Sequence, residues 1–237
     1  MESKDEYELN PVEVSSPLLP ARPSAQAQAS SASGSALRSM ANAHRRITVL
    51  RAKVLLVGDP AVGKSALVSM LQSGGSNYPK SYLMTLGVDL QVKDVAVGNK
   101  ADRKVELLLF DMGGQSIFHQ AQLSSQHFRS ASVAVIVYDC GNRQSFLSCA
   151  KWLSAVRSEN NGRAVSGILL ANKSDLVDKG RIQVTKEEGR QFASKNGLTF
   201  LEASALRNTG VQELFQFIAD AYSAKYEDAM HRVADLV

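Results

Sequence analysis

A short glycine-rich segment with a lysine and a hydroxyl residue is the part of this sequence best suited to bind phosphate. The string GDPAVGKS, residues 58–65, fits the pattern GxxxxGK[ST] between an apolar run and a segment with helical periodicity. In such a loop, backbone N–H groups surround phosphate oxygens at the amino end of a helix. The residues predicted to contact the phosphates or their metal ion are Gly58, Ala61, Val62, Gly63, Lys64, Ser65 and Ala66. In this prediction Lys64 reaches the terminal phosphates and Ser65 binds Mg²⁺.

A second polar string indicates which base the nucleotide carries, because a phosphate loop alone fits an ATPase, a kinase or a GTPase. The residues Asn172, Lys173 and Asp175 belong to the string NKSD, which directly follows the apolar run GILLA. A carboxylate such as that of Asp175 can accept two parallel N–H bonds from guanine, which adenine does not offer. The carboxyl end of a sheet strand is where α/β proteins build their binding sites. The sequence therefore predicts a guanine site.

The elements that position these strings follow from the alternation of apolar runs and helical stretches after Ile47. Such alternation predicts βαβ units and a mainly parallel sheet, and a length of 237 residues suits one such domain. Residues 86–97 alternate as one strand, and after the polar loop GNKADR a second strand, VELLLFD, completes a hairpin. The predicted fold is α/β, a six-stranded doubly wound mainly parallel sheet with one antiparallel edge strand.

Several helices are predicted from short sequence signals at their ends or from the spacing of apolar residues. The first helix is predicted from Gly63 to Ser73, directly after the phosphate loop. The residues Thr185 and Glu188 have capping-box spacing, and Gly197 is placed to end that helix. Another predicted helix buries apolar residues at Phe146, Trp152, Leu153 and Val156. A long amphipathic helix is predicted after Thr209.

The amino-terminal residues differ in composition from the rest of the chain. Residues 1–46 hold four of the six prolines and an Ala/Ser-rich tract, which predicts a disordered tail. A transit peptide is the competing interpretation, but five acidic residues among the first 13 count against it. The predicted organisation is a tail over 1–46, one α/β domain that carries the nucleotide site over 47–225, and a helical extension over 226–237.

Charge and end sequences restrict the partners that are expected. A formal net charge of +4 without a dense basic run predicts no nucleic-acid partner. No apolar run reaches the roughly 20 residues that cross a bilayer, and the cysteines lack metal-ligand spacing. The terminal string MHRVADLV has no prenylation cysteine and Glu2 excludes myristoylation, so no lipid anchor and a cytoplasmic location are predicted.

The chain resembles the Ras superfamily of small GTPases over roughly residues 51–225, because further motifs occur in the family's order. MTLGVD resembles the first switch of Rab proteins, which implies that Thr85 binds Mg²⁺ and the γ-phosphate. DMGGQ matches the family's DxxGQ, which implies that Asp111 holds Mg²⁺ through water and that the Gly114 amide meets the γ-phosphate. In the same motif Gln115 would orient the attacking water. The resemblance implies a P-loop small GTPase fold, so the domain over 47–225 is expected to be a small GTPase domain.

The resemblance also assigns the base pocket. Tyr78 stands where the family places an aromatic ring against guanine, and EASA resembles the loop that contains Ser204 and Ala205. In that loop the Ala205 amide would bond the guanine oxygen. The chain departs from the family at Pro60, which replaces a small residue beside the γ-phosphate, and at Leu206, which replaces a lysine over the base. The leucine is either a tolerated apolar substitution or a change that loosens nucleotide binding.

A closer resemblance concerns one Rab-like branch and rests on the strings GKSALVSMLQS, NYPKSYLMTLGVDLQV and VYDCGNRQSFLSCAKWL. They are similar to the Rab-like GTPases of intraflagellar transport complex B, which moves cargo in cilia and flagella. This resemblance implies a heterodimer with a small β-sandwich subunit of that complex. A general Rab of vesicle traffic and a structural subunit with a non-switching nucleotide are the alternatives. The presence of Thr85, Asp111 and Gln115 favours a slow GTPase switch.

Overall fold

The computed structural model describes residues 47–98, 100–114, 126–160 and 165–235. The predicted tail of residues 1–46 and the predicted catalytic Gln115 lie outside the described residues.

A single sheet forms the centre of the described part of the chain and has six strands there. The strands are β1 Thr48–Val57, β2 Val88–Val97, β3 Lys100–Met112, β4 Val133–Asp139, β5 Ser166–Asn172 and β6 Thr199–Glu202. Their spatial order is β2-β3-β1-β4-β5-β6. Only the β2–β3 pair among these strands is antiparallel. The predicted six-stranded, mainly parallel sheet with an antiparallel edge is confirmed.

Helices cover both faces of the sheet and enclose two hydrophobic cores. The helices are α1 Lys64–Gln72, α2 Arg143–Glu159, α3 Lys186–Lys195 and α4 Val211–Ala234. One core joins the sheet to α1 and α4, and the other joins it to α2 and α3. The central strand β4 is buried at six consecutive positions because both of its faces are covered. Among the described helices, none has the length and apolar character needed to cross a bilayer.

The predicted helix signals agree with the observed ends of α3. The Thr185 hydroxyl accepts the Glu188 N–H at 3.3 Å, while the Glu188 carboxylate accepts the Thr185 N–H at 2.9 Å. This capping box satisfies two of the donors that a helix start leaves unpaired. Gly197, just beyond the helix, has a φ of 65°, which favours glycine.

The β2–β3 hairpin corrects one prediction, because residues 100–103 of the string GNKADR belong to a strand and not to a loop. Strand β3 begins at Lys100, and Arg103 pairs with Thr48 of β1. The Arg103 guanidinium donates to Glu227 at 2.6 Å and to Ser223 at 3.0 Å, both on α4. Polar strand residues are stable here because a helix more than 100 residues away supplies their partners. Local polarity alone therefore misplaced the start of the strand.

Candidate nucleotide-binding site

Two glycines fix the path of the phosphate loop between β1 and α1, because a side chain at either position would displace neighbouring atoms. A Cβ at Gly58 would lie 2.2 Å from the Val137 carbonyl oxygen of β4. A Cβ at Gly63 would lie 2.4 Å from the Asn172 side-chain nitrogen. Both glycines also have φ values, 148° and 98°, that side chains rarely adopt. The glycines of the motif thus set how closely the loop approaches the adjacent strands.

Lys64 lies buried inside this loop, and its ammonium is bound by backbone oxygens. Its Nζ donates to the carbonyl oxygens of Gly58 at 2.8 Å and Asp59 at 3.0 Å. Burial lowers the pKa of Lys64 to about 8, although the carboxylates of Asp111 and Asp59 act in the opposite direction. A positive charge held in a loop of N–H donors is suited to binding phosphate oxygens.

The lowered pKa of Lys64 predicts proton uptake when a nucleotide binds. Above about pH 8 the amine loses its proton, and the negative phosphates favour the charged form, so binding must recover that proton. We expect the apparent affinity for GDP to fall as the pH rises above about 8. Calorimetric titration of nucleotide-stripped protein in two buffers of different ionisation enthalpy measures this uptake. Equal heats in both buffers at pH 8.5 would contradict the assignment.

The same shift has a defined sign for folding stability. The folded-state pKa of Lys64 is below its usual value, so the unfolded chain binds more protons from about pH 8 upward to that value. The contribution of this lysine to the free energy of unfolding therefore increases with pH across that window. As the pH rises above about 8, loss of this proton therefore weakens nucleotide binding but increases the contribution of Lys64 to the free energy of unfolding.

Three oxygen-bearing side chains meet beside Lys64, where the metal ion was predicted. The Ser65 hydroxyl donates to Asp111 Oδ2 at 2.5 Å and lies 2.9 Å from the Thr85 hydroxyl. Thr85 donates to the same Asp111 oxygen at 3.4 Å. Asp111 Oδ1 is buried without a hydrogen-bond partner among the described residues. Burial raises the pKa of Asp111, so a cation here would stabilise the carboxylate. Oxygen ligands of this kind fit Mg²⁺.

A cavity of about 380 Å³ opens over the loop and contains most of the predicted phosphate contacts. The predicted residues that line it are Ala61, Gly63, Lys64, Ser65, Ala66, Tyr78, Thr85, Gly114 and Lys173. Gly114 approaches the loop closely, because a Cβ on it would lie 2.3 Å from the Pro60 nitrogen. The Gly113 N–H donates to the Gly87 carbonyl at 2.8 Å, so the segments after Thr85 and after Asp111 are joined.

The base-recognition string lies next to this cavity and braces the phosphate loop. The Asn172 side chain donates to the Val62 carbonyl at 2.7 Å and accepts the Ala205 N–H at 3.3 Å. Asn172 therefore ties the phosphate loop to the loop after β6. Lys173 has a left-handed φ of 62°, and its ammonium lies 2.8 Å from Asp139 Oδ2.

Asp175 is buried, and its orientation is set by a neighbour in the second loop. The Ser204 hydroxyl donates to Asp175 Oδ1 at 2.6 Å. A 3-10 turn over Ser174–Lys179 carries the carboxylate. The Leu206 side chain is 52% exposed and does not line the cavity over the phosphate loop.

One supporting contact was not foreseen in the sequence analysis. The Trp152 indole N–H donates to Asp59 Oδ1 of the phosphate loop at 2.9 Å. Sequence periodicity assigned Trp152 only to the hydrophobic core, where it is indeed fully buried. The two residues are 93 positions apart, and no local pattern signals such a bond. The tryptophan thus packs in the core and also anchors the loop.

Comparison with known proteins places these motifs in a family context. The model of the Ras family matches residues 53–224. An intraflagellar transport protein 27 homolog of Trypanosoma brucei brucei is 39% identical over 187 residues, covering 79% of this chain and 98% of that protein. The Mus musculus homolog is 39% identical over 179 residues, covering 76% and 94%. The Caenorhabditis elegans Ras-related protein Rab-10 is 33% identical over 177 residues, covering 75% and 83%.

Proposed function

The chain belongs to the Ras family as a Rab-like small GTPase, and on this premise we propose that it is a slow, Mg²⁺-dependent switch of intraflagellar transport complex B. The observation that carries the switch is the meeting of the Ser65 and Thr85 hydroxyls at the buried Asp111 carboxylate. A site that only retained a nucleotide would not need the Thr85 hydroxyl beside the metal ligands. Bound Mg²⁺ would neutralise charge on the β- and γ-phosphates.

Each residue of the site has a distinct task in this proposal. Lys64 and the loop N–H groups hold the phosphates, while Ser65, Thr85 and Asp111 supply oxygen to the metal. Tyr78 lies at the cavity edge, where it would cover the guanine ring. The residues proposed to hold the base by polar contacts are Asn172, Lys173, Asp175, Ser204 and Ala205. Leu206 is proposed to lie over the ring as an apolar contact.

Slow hydrolysis follows from the charges available at the γ-phosphate. Gln115 is proposed to orient the water, but none of the described arginines lines the cavity. An arginine supplied to the γ-phosphate is worth roughly 10³- to 10⁵-fold in rate. Pro60 lines the same cavity and adds bulk where an arginine from another protein would approach. Intrinsic turnover is therefore expected to be far below that of a stimulated GTPase.

Gln115→Leu is expected to slow GTP hydrolysis further while leaving nucleotide binding intact. Leucine has a similar size but cannot hold the attacking water, whereas the phosphate contacts of Lys64 and Ser65 are unchanged. Single-turnover release of γ-phosphate at saturating Mg²⁺, with GTP affinity as the control, measures both effects. Equal rates for the two proteins would refute this role of Gln115. Fast release by the wild type without an activating protein would refute slow intrinsic hydrolysis.

The readout of the switch is proposed to be partner binding beside Thr85. Leu83 and Leu86 are 82% and 81% exposed and flank this threonine, so their positions depend on its contacts. An apolar exposed segment next to a phosphate sensor can present a surface in one nucleotide state only. The structural-subunit alternative predicts instead that partners bind equally in the GTP and GDP states.

The place in transport rests on the names of the similar proteins and on the shared branch motifs. We propose an intraflagellar role at the cilium or flagellum and its base, with a small β-sandwich subunit of complex B as heterodimer partner. Affinity capture of the tagged full chain from ciliated cells tests this, with Ser65→Asn as a metal-site control. Recovery of complex B subunits supports the proposal. Recovery of vesicle factors alone would favour a general Rab.

A further inference from the structure

Trp152, the sole tryptophan of the chain, is a fixed point beside the phosphate loop. Its side chain is fully buried in the core that joins the sheet to α2 and α3, where close packing holds the ring in place. The indole N–H donates to Asp59 Oδ1 at 2.9 Å. A hydrogen bond to a carboxylate is stronger than one between neutral groups. A rigid residue of α2 therefore holds the side chain of a loop residue.

The two loop residues that follow Asp59 are exposed. Pro60 has no N–H with which to bond a neighbour, and Ala61 has a left-handed φ of 61°. That conformation is unfavourable for a residue with a side chain, so it persists only where surrounding contacts maintain it. The bond from Trp152 is such a contact, placed directly before the exposed part of the loop.

Asp59 connects this fixed point to two groups that are proposed to contact phosphate. Its carbonyl oxygen accepts a hydrogen bond from the Lys64 ammonium at 3.0 Å. The peptide bond between Asp59 and Pro60 lies against Gly114, since a Cβ on that glycine would be 2.6 Å from the Asp59 carbonyl carbon. A displacement of Asp59 therefore alters the positions of both phosphate contacts.

We propose that Trp152 is a positioning residue that slows nucleotide release by holding Asp59, and with it Lys64 and Gly114, in place. The inference rests on the proposed phosphate contacts of Lys64 and Gly114, because Trp152 itself does not line the nucleotide cavity. Without the bond, the Asp59 side chain is free to turn, and the loop opens locally more often. Each opening breaks phosphate contacts, so the nucleotide dissociates faster.

Two substitutions of Asp59 separate the hydrogen bond from the charge of the carboxylate. Asp59→Asn and Asp59→Ala both remove the charge, but only asparagine keeps a side-chain oxygen that can accept the indole N–H. The rate of release of a fluorescent GDP analogue from the full chain is measured after addition of excess GDP at fixed Mg²⁺. Release should be about three- to tenfold faster in Asp59→Ala than in Asp59→Asn, as expected for loss of one hydrogen bond. Equal rates in these two variants would overturn the proposal.

Trp152→Phe keeps an aromatic ring in the core but removes the N–H. It should release GDP about three- to tenfold faster than the wild type. When Trp152→Phe is combined with Asp59→Asn or with Asp59→Ala, the two double variants should release GDP at equal rates, because both lack the donor. An unchanged rate in Trp152→Phe would refute the role of the tryptophan. A persisting difference between the double variants would show that the two residues act independently.

Val156→Ala distinguishes loss of core packing from loss of the hydrogen bond. Val156 lies one turn further along α2, is buried in the same core and does not line the nucleotide cavity. Its truncation should lower the Tm, because it removes buried methyl groups, but should leave the GDP release rate within about twofold of the wild type. If it accelerates release as much as Trp152→Phe at a similar loss of Tm, the tryptophan acts only through packing and the proposal is wrong.

Tryptophan fluorescence provides a readout that needs no nucleotide. Since Trp152 is the sole tryptophan, this emission comes from the indole that is bonded to Asp59. We expect the emission maximum of the nucleotide-free chain to shift in Asp59→Ala and to stay near the wild-type position in Asp59→Asn. The same maximum in all three proteins would contradict the bond. A wild type that fails to bind GDP would refute the proposed function but would leave this shift, so the two failures are distinguishable.

Discussion

Asp175→Asn is expected to reverse the base preference from guanine to xanthine nucleotides. Guanine offers N–H donors to the carboxylate, whereas xanthine has an oxygen where guanine carries its amino group. The Ser204 hydroxyl bonds Asp175 Oδ1, so in the variant it favours placing the asparagine carbonyl there. The amide N–H₂ then faces the base and pairs with the xanthine oxygen.

The size of this change is expected to be large. A site built to hydrogen-bond its ligand rejects an unmatched analogue by about 10⁴- to 10⁵-fold, so the ratio of GTP to XTP affinity should change by about 10⁴-fold. Competition binding with the two triphosphates measures the ratio. Asp178→Asn is the matched control, because this exposed carboxylate lies on the same turn and pairs with Arg207. A variant at Asp175 that still selects GTP would refute the guanine-site assignment.

Lys64→Ala is expected to weaken GTP binding by about 100-fold while the fold is retained. The side chain supplies charge to the phosphates, and charge-assisted hydrogen bonds are worth about 1.5–3 kcal/mol each, or roughly a factor of 100 at the upper end. Loss of the ammonium also leaves the carbonyls of Gly58 and Asp59 without this donor. The loop should therefore become less ordered as well.

Equilibrium binding of GTP and GDP in the presence of Mg²⁺ measures the affinity, and circular dichroism checks the fold. Lys53→Ala is the matched control, because this lysine also donates to a backbone oxygen, that of Arg129 at 2.7 Å, but lies outside the nucleotide cavity. The variant at Lys64 should lose more affinity for GTP than for GDP, since the γ-phosphate adds charge. Unchanged dissociation constants would contradict the phosphate-loop assignment.

Local features of the sequence were sufficient to predict most of the fold. The glycines of the phosphate loop, the alternation in β2 and the Thr185–Glu188 capping box act over a few residues, so their spacing alone reveals the structure. The parallel order of the remaining strands followed from the alternation of apolar runs and helices. Only the string after β2 was misjudged, because its partners lie on α4.

The sequence by itself determined the class of ligand, because residues 58–65 and 172–175 have the side chains and spacing that phosphate and guanine recognition require. Tertiary structure decided how these strings work together. The bond from Asn172 to Val62 spans 110 positions, and that from Trp152 to Asp59 spans 93. The Tyr138 hydroxyl, which has no hydrogen-bond partner among the described residues, is also buried only where α3 packs against it at Gly189. Such contacts depend on the packing of the whole domain, since hydrogen bonds between distant residues leave no spacing pattern in the chain.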